Sequence, residues 1–237
     1  MKQWDSYSRF FIIKEEVNIM PFDYKKEYKE FYMPQKKPSI VEVPPMNYIA
    51  VRGKGDPNKE DGEYKQSITL LYGVAYTLKM SKKTDHQIEG YFDYVVPPLE
   101  GFWWQENIKG MDYNKKDQLQ WISVIRLPDF ITKEDVEWAK ESASKKKKKD
   151  FSKVEFFHYE EGLCVQCMHI GSYDEEVATV SLMHEFIKDE YVLDINDQRR
   201  HHEIYLSDAR KVAEEKRKTV VRHPIKKIRP VRITGLF

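Results

Sequence analysis

The chain has 237 residues, 41% hydrophobic and 14% aromatic, enough to bury one sizeable core. Forty basic against 39 acidic residues leave a formal net charge of +1, a balance that gives no reason to expect nucleic acid or an acidic partner. No apolar run approaches the ~18 residues of a spanning helix, and Phe10-Phe-Ile-Ile13 is too short for the apolar part of a signal peptide. The chain therefore reads as cytoplasmic, with no membrane partner.

Residues 1–19 show no periodic apolar face, and Met20-Pro-Phe-Asp-Tyr24 reads as a second plausible start. This makes 1–19 an extension and 20–226 the folded domain. Phe22 to Tyr32 is expected to form a short helix, broken at Gln35-Lys-Lys-Pro38 because proline disfavours helix in the residue before it. Ser39 to Val43 reads as a strand ended by Pro44-Pro45. Residues 46–51 form an apolar strand followed by a glycine-acidic turn, Arg52-Gly-Lys-Gly-Asp56. From 63 to 80, Tyr64, Ile68, Leu71, Ala75 and Leu78 recur at helical spacing as one buried stripe. A strand is expected over 88–96, stopped by Pro97-Pro98, and Leu99-Glu-Gly-Phe-Trp-Trp104 follows that turn. After a polar loop, residues 120–127 are rich in β-branched side chains and read as a strand.

Thr132 is placed to cap a helix over 133–149 that ends in five lysines. Such a run could bind phosphate, but more often it is a solvated helix end suited to the negative end of the macrodipole. Val154 to Tyr159 is another strand. Leu163 to Ile170 then repeats the pattern of 46–51, and Gly171-Ser-Tyr-Asp-Glu175 repeats the turn, with Ser172 and Glu175 at capping-box spacing. Val180, Met183 and Ile187 mark the buried stripe of a helix over 174–190. Strands at 201–206 and 219–223 follow, the second stopped by Pro224, before a basic tail at 227–237.

One unit thus occurs twice, at about 46–127 and 154–223, as strand, helix, strand, strand, with the 133–149 helix as linker. The duplication predicts an α+β fold of two β-α-β-β halves with pseudo-two-fold symmetry. It predicts an antiparallel sheet with both long helices on one face and the ligand cleft at the seam on the other.

Glu203 is the leading candidate for chemistry. It shares a strand face with His201 and Tyr205, while His202, Ile204 and Leu206 point the other way. A dry carboxylate on an aromatic floor has a raised pKa and can act as a base or accept a cation; the alternative is a strand-edge glutamate in water. Tyr91 and Tyr94 fall on the expected 88–96 strand, and Trp103 and Trp104 after it. These aromatics form either core or a flat stacking surface for a ligand. Cys164 and Cys167 lie inside a strand at odd spacing, hence on opposite faces, and read as two ordinary buried thiols rather than a redox pair. No HxH or HExxH spacing occurs among seven histidines, so neither a metal nor any other cofactor is expected.

Several motifs in order carry a resemblance. They are Phe22-Asp-Tyr-Lys-Lys-Glu-Tyr28, Val51-Arg-Gly-Lys-Gly-Asp-Pro-Asn58, Leu71-Tyr72 to Tyr76-Thr-Leu-Lys79, Leu99-Glu-Gly-Phe-Trp-Trp104, Ile125-Arg-Leu-Pro-Asp-Phe130, His169-Ile-Gly-Ser-Tyr173 and His202-Glu-Ile-Tyr-Leu-Ser-Asp208. Together they are similar to the stand-alone GyrI-like proteins over about 22–226. The resemblance implies a small-molecule-binding fold of two β-α-β-β halves, in which a glutamate at the position of Glu203 meets ligands in an aromatic cleft. It also implies, in one branch, hydrolysis of the cyclopropane of DNA-alkylating natural products of the yatakemycin and duocarmycin type. There Glu203 would act with Tyr91 and Trp104 as the catalytic group, and Tyr205, Trp103, Tyr94 and His201 would bind the ligand. The other activities it implies are non-catalytic sequestration of flat aromatic or cationic drugs and a gyrase-inhibitor-like protein partnership. Phe102 departs from the leucine expected in its motif.

Overall fold

A computed structural model describes residues 20–108, 110–112 and 114–228, so the expectations for 1–19 and for 229–237 lie outside the described residues. The described residues form nine strands of one antiparallel sheet. They are β1 (Ser39–Val43), β2 (Met46–Lys54), β3 (Leu99–Gln105), β4 (Leu119–Arg126), β5 (Glu155–Tyr159), β6 (Gly162–Ile170), β7 (Tyr191–Leu193), β8 (His201–Tyr205) and β9 (Lys218–Lys227). The helices are α1 (Tyr24–Glu27), α2 (Lys29–Tyr32), α3 (Glu63–Lys79), α4 (Lys133–Lys147) and α5 (Glu176–Ile187). Spatial order is β1-β6-β9-β8-β3-β4-β2-β5, with β7 on β9. Inside it lie two runs of three strands, β6-β9-β8 and β3-β4-β2. Each run puts its first strand outermost, its last in the middle and its second at the seam.

Register fixes the faces. Val51, Ser123, Gly101, Glu203, Val221 and Cys167 lie side by side across six strands, and directly paired residues share a face. The helices α3 and α5 both cover this face. Ser67 of α3 meets Ser123, Oγ to Oγ 3.4 Å, while Leu71, Val74, Ala75 and Leu78 are buried on the sheet. From α5, Met183 and Ile187 form a second, smaller core with Val165, Cys167, Val221 and Ile225. The opposite face, with Phe102, His202, Arg222 and Gln166 in register, is sealed by the chain before β1. There Gln166 Nε2 donates to Glu30 O (2.7 Å) and Arg222 Nη2 to Phe31 O (2.9 Å).

Local chemistry sets the ends of the elements. Thr132 caps α4 through a capping box with Asp135, and the lysines after α4 are exposed. Gly53 is required because the Trp121 ring lies where its Cβ would stand, 2.2 Å away. Both cysteines are buried and free, one on each face as their spacing predicts.

Three boundaries differ from the sequence expectation. Residues 88–96 form no strand: Gly90 takes a positive φ of 71°, and the segment pairs with Phe22, before α1, through the isolated bridge Phe22 to Tyr94 rather than with a strand of the sheet. The second strand of the first half is instead β3, whose Leu99-Glu-Gly-Phe-Trp-Trp104 was expected to follow a turn. The last strand passes through Pro224, whose carbonyl accepts from Asp194 N–H (2.8 Å). The missing proline N–H therefore falls on the side where β8 has already ended. The two-turn segment at 22–32 is split at Tyr28 into α1 and α2.

Candidate functional site

Beside α3, over the β3–β8 seam, lies a cleft of about 1170 Å³, closed on its other side by Tyr173, Asp174 and the chain that follows β8. Its floor and walls include Trp103, Glu203, Tyr205, Tyr64, Tyr72 and Tyr173. The cleft exists because the two helices cover the outer strands of each half and leave the seam between them bare. It is on the helix-bearing face, not the helix-free face expected from sequence. The alternation correctly joined Glu203 with Tyr205 and His201, but which face the helices would cover was assigned wrongly. The mate of the helix-bearing face is already filled by residues 24–36.

The structure brings together only part of the expected constellation. Trp103 Nε1 donates to Tyr205 Oη (2.8 Å), Tyr64 packs on Trp103 with ring centroids 5.1 Å apart, and Tyr173 meets Tyr205 edge-on at 5.7 Å. Gly101 faces Glu203 across the strand pair; a Cβ there would stand 2.6 Å from Trp103 Nε1 and 3.1 Å from Tyr205 Oη. That absent side chain is the room in which the Trp103–Tyr205 hydrogen bond sits, beside Glu203. Trp104, by contrast, points through the sheet to the other face and stacks under the Arg200 guanidinium at 4.3 Å. Tyr91 donates to Lys79 O (2.7 Å) beyond the end of α3, and Tyr94 is buried beside Phe130. Neither tyrosine lines the cleft, because the strand that would have carried them to the seam does not form.

Sequence reasoning missed the wall that α3 supplies. Tyr64, Ile68, Tyr72 and Tyr76 line the cleft at a strict spacing of four, a stripe beside the buried one. Tyr64 and Ile68 were expected in the buried stripe, but they sit at its margin, half-exposed. A tyrosine-rich stripe at that spacing was the available signal.

Behind Glu203 stands His201. Its Nε2 is 3.0 Å from Glu203 Oε1 in a hydrogen bond and 3.2 Å from Glu176 Oε1 of α5 as an ion pair. One N–H cannot point at both oxygens, and Glu176 Oε1 is left without a hydrogen-bond partner among the described residues. Burial and the Glu203 charge push the Glu176 carboxyl up. Burial pulls His201 down, but the two carboxylates outweigh it and hold the imidazole protonated. Burial and the Glu203 charge also raise Tyr205 and Tyr173, which stay neutral phenols able to donate. Donor atoms of Glu176, His201 and Glu203 all lie within 4.8 Å of one another, a convergence that local sequence spacing could not reveal. The hydrogen bond between His201 and Glu203 already fills the space between two of the three donors with a proton, so the set fits an imidazolium between carboxylates and no ion is assigned to it. Chemically, the site offers a flat aromatic surface, neutral phenol donors and one carboxylate, 8% exposed, at the bottom.

A seam cleft with an aromatic wall and a buried carboxylate on a large antiparallel sheet defines a small-molecule-binding protein. The GyrI-like small molecule binding domain matches residues 36–226, and the chain belongs to that family. It is similar to a hydrolase from Listeria innocua, with 48% identity, a TM-score of 0.79, and 86% of this chain and 100% of that chain covered. It is similar also to an uncharacterized conserved protein from Listeria innocua, with 50% identity, a TM-score of 0.81, and the same coverage of 86% and 100%. No curated protein gives a significant match. No helix among the described residues is long and apolar enough to cross a membrane.

Proposed function

We propose that this protein is a hydrolase that opens the cyclopropane ring of flat, DNA-alkylating compounds of the duocarmycin and yatakemycin type, a xenobiotic-detoxifying activity of the cytoplasm. One observation carries the reading: the Glu203 carboxylate lies at the floor of an aromatic cleft, hydrogen-bonded from behind to His201. The ligand stacks on Trp103 and Tyr64 rather than on the Trp104 and Tyr91 expected from sequence. Glu203 takes a proton from a water that attacks the strained carbon, and a phenol of Tyr173 or Tyr205 is available to the developing phenolate. Opening the ring restores an aromatic phenol, so positioning and a base supply most of what the reaction needs. The hydrolases among the Listeria relatives support the class of reaction but name no substrate.

The sequestration of cationic drugs is the second reading, favoured by the buried carboxylate under aromatic rings. Against it, the charged residues lining the mouth comprise seven basic (Lys25, Lys65, Lys116, Lys147, Arg210, Lys211 and Arg217) and three acidic (Asp174, Asp208 and Glu214). That excess repels a cation on approach. The deciding experiment incubates the protein with an excess of a duocarmycin-type spirocyclopropyl dienone and follows the hydrated product by mass. Turnover is expected, and Glu203→Gln lowers it by roughly 10²–10⁴, the usual contribution of a positioned base. Stoichiometric binding without product would replace the hydrolase reading with sequestration.

A further inference from the structure

His201 is joined on its far side to two more histidines that the mechanism above leaves unused. Its Nδ1 lies 2.6 Å from His223 Nε2, and His223 Nδ1 lies 2.9 Å from His184 Nε2. The three rings come from β8, β9 and α5. With Glu203 they make an unbroken hydrogen-bonded line from the cleft floor, under the second core, to His184. His201 and His223 are buried, whereas His184 on α5 is half-exposed. A neutral imidazole accepts at one nitrogen and donates at the other, which is the wiring that lets a proton pass from ring to ring. His223 has the environment for that middle place: burial and the charges of its two histidine neighbours keep it well below the usual range, hence neutral. The line also has a use. Two carboxylates share one imidazolium in a nearly dry site, and adding a proton to Glu203 changes the charge of a cluster that water can no longer reach once a flat ligand fills the cleft.

We propose that His201, His223 and His184 form a proton path that balances the charge of the Glu203 cluster with solvent beside α5 while the cleft is occupied. The proposal rests on the hydrolase reading. In the chemical step, water loses a proton to the Glu203 oxygen that is not bonded to His201. The hydroxide oxygen bonds to the strained carbon, and the cyclopropane C–C bond breaks, its electron pair passing into the dienone to give a phenolate. His201 then gives its Nδ1 proton to His223 Nε2, His223 gives its Nδ1 proton to His184 Nε2, and His184 gives its own to water. One proton has entered the cluster and one has left. After product departs, Glu203 returns its proton to water in the open cleft, and the path returns one to His201. His184 and His223 are positioning residues in this scheme, since neither touches the substrate.

Two measurements on the full chain, treated with chelator, test the path. The first is nitrogen NMR of histidine-labelled protein at neutral pH. A neutral His223 carrying its proton on Nδ1, beside a protonated His201, is expected; a charged His223, or one protonated on Nε2 alone, overturns the path whatever the activity. The second is turnover of the spirocyclopropyl dienone in dilute buffer. His184→Ala is expected to lower kcat by at least about tenfold, with KM unchanged, and added imidazole to restore it, as for a removed proton-transfer group. A purely structural role for His184 would not respond to imidazole. His223→Gln, which keeps hydrogen bonds but cannot relay, is expected to lose the same rate without rescue. Wild-type kcat in His184→Ala at low buffer overturns the path while the hydrolase reading stands. Absence of turnover in the wild-type protein sinks the hydrolase reading itself, and the NMR result then still decides whether the chain of rings exists.

Discussion

His201 and His202 are adjacent in β8, face opposite sides of the sheet, and each meets two carboxylates. His201 meets Glu203 and Glu176. His202 lies 3.0 Å from Glu100 through Nε2 and 3.0 Å from Glu161 through Nδ1. The difference is the next shell. On the His202 side, Arg222 Nη1 donates to Glu161 Oε2 at 2.8 Å, so two carboxylates face two cations and the whole set is sealed under residues 24–36. On the His201 side no guanidinium of the described residues joins the cluster, the charges of those residues do not balance, and the carboxylate opens on a cleft. Buried charges are tolerated when fully paired. The paired cluster therefore fastens the chain before β1 to the sheet, and the unpaired one is left with a proton to exchange and space beside it for a ligand.

The largest effect that would break this comparison is on the sealed side. Arg222→Ala strands Glu161 in a dry site and is expected to cost about 3–5 kcal/mol, read from urea unfolding. A loss below about 1 kcal/mol would mean that the His202 cluster is solvated and the two sides are alike. Acid should act on the same side. Burial pushes Glu161 up, but His202 and Arg222 outweigh it and hold the carboxyl at about 2. A depressed carboxyl contributes stability that is complete above its unfolded value of about 4.5 and is lost as pH falls through the folded value. Melting temperature is thus expected to decline between pH 4.5 and 2, and Glu161→Gln, though less stable throughout, should lack that share of the decline.

On the open side the expected effects are on ligand rather than on folding. Gly101→Ala places a methyl against Trp103 and Tyr205, displacing the stacking surface. Affinity for a flat aromatic probe should fall by roughly tenfold, with stability lowered by about 1–3 kcal/mol as for a moderately overpacked core. Unchanged affinity, measured by titration, would place the ligand away from the seam. The smallest effect is expected at Trp104→Phe, which alters the Arg200 stack on the far face. It should leave ligand affinity within about twofold and stability within about 1 kcal/mol. A large loss of affinity there would restore the sequence-based assignment of Trp104 to the site.

Much of the architecture was legible in the chain. The strand–turn–helix pattern that occurs at β2–α3 and again at β6–α5, the cap at Thr132, the capping box at Ser172, and the phase that unites His201, Glu203 and Tyr205 follow from local periodicity and local hydrogen bonding. The 88–96 strand was misread because the segment is rich in aromatic and β-branched residues and ends at Pro97-Pro98, as a strand would. Composition does not say whether a partner strand is available, and β3 took that place at the seam.

The amino-acid sequence by itself determined which residues share a face, because the side-chain period of a strand is two and that of a helix is 3.6. Only the tertiary structure decided which face the helices cover and which carboxylates meet which histidine. Glu176 reaches His201 from α5, His223 from β9, and Glu100 meets His202 from the other half of the sheet. These pairings join residues far apart in the chain. They are chosen by burial of the whole apolar surface and by the need to pair every charge taken out of water, neither of which leaves a mark in local spacing.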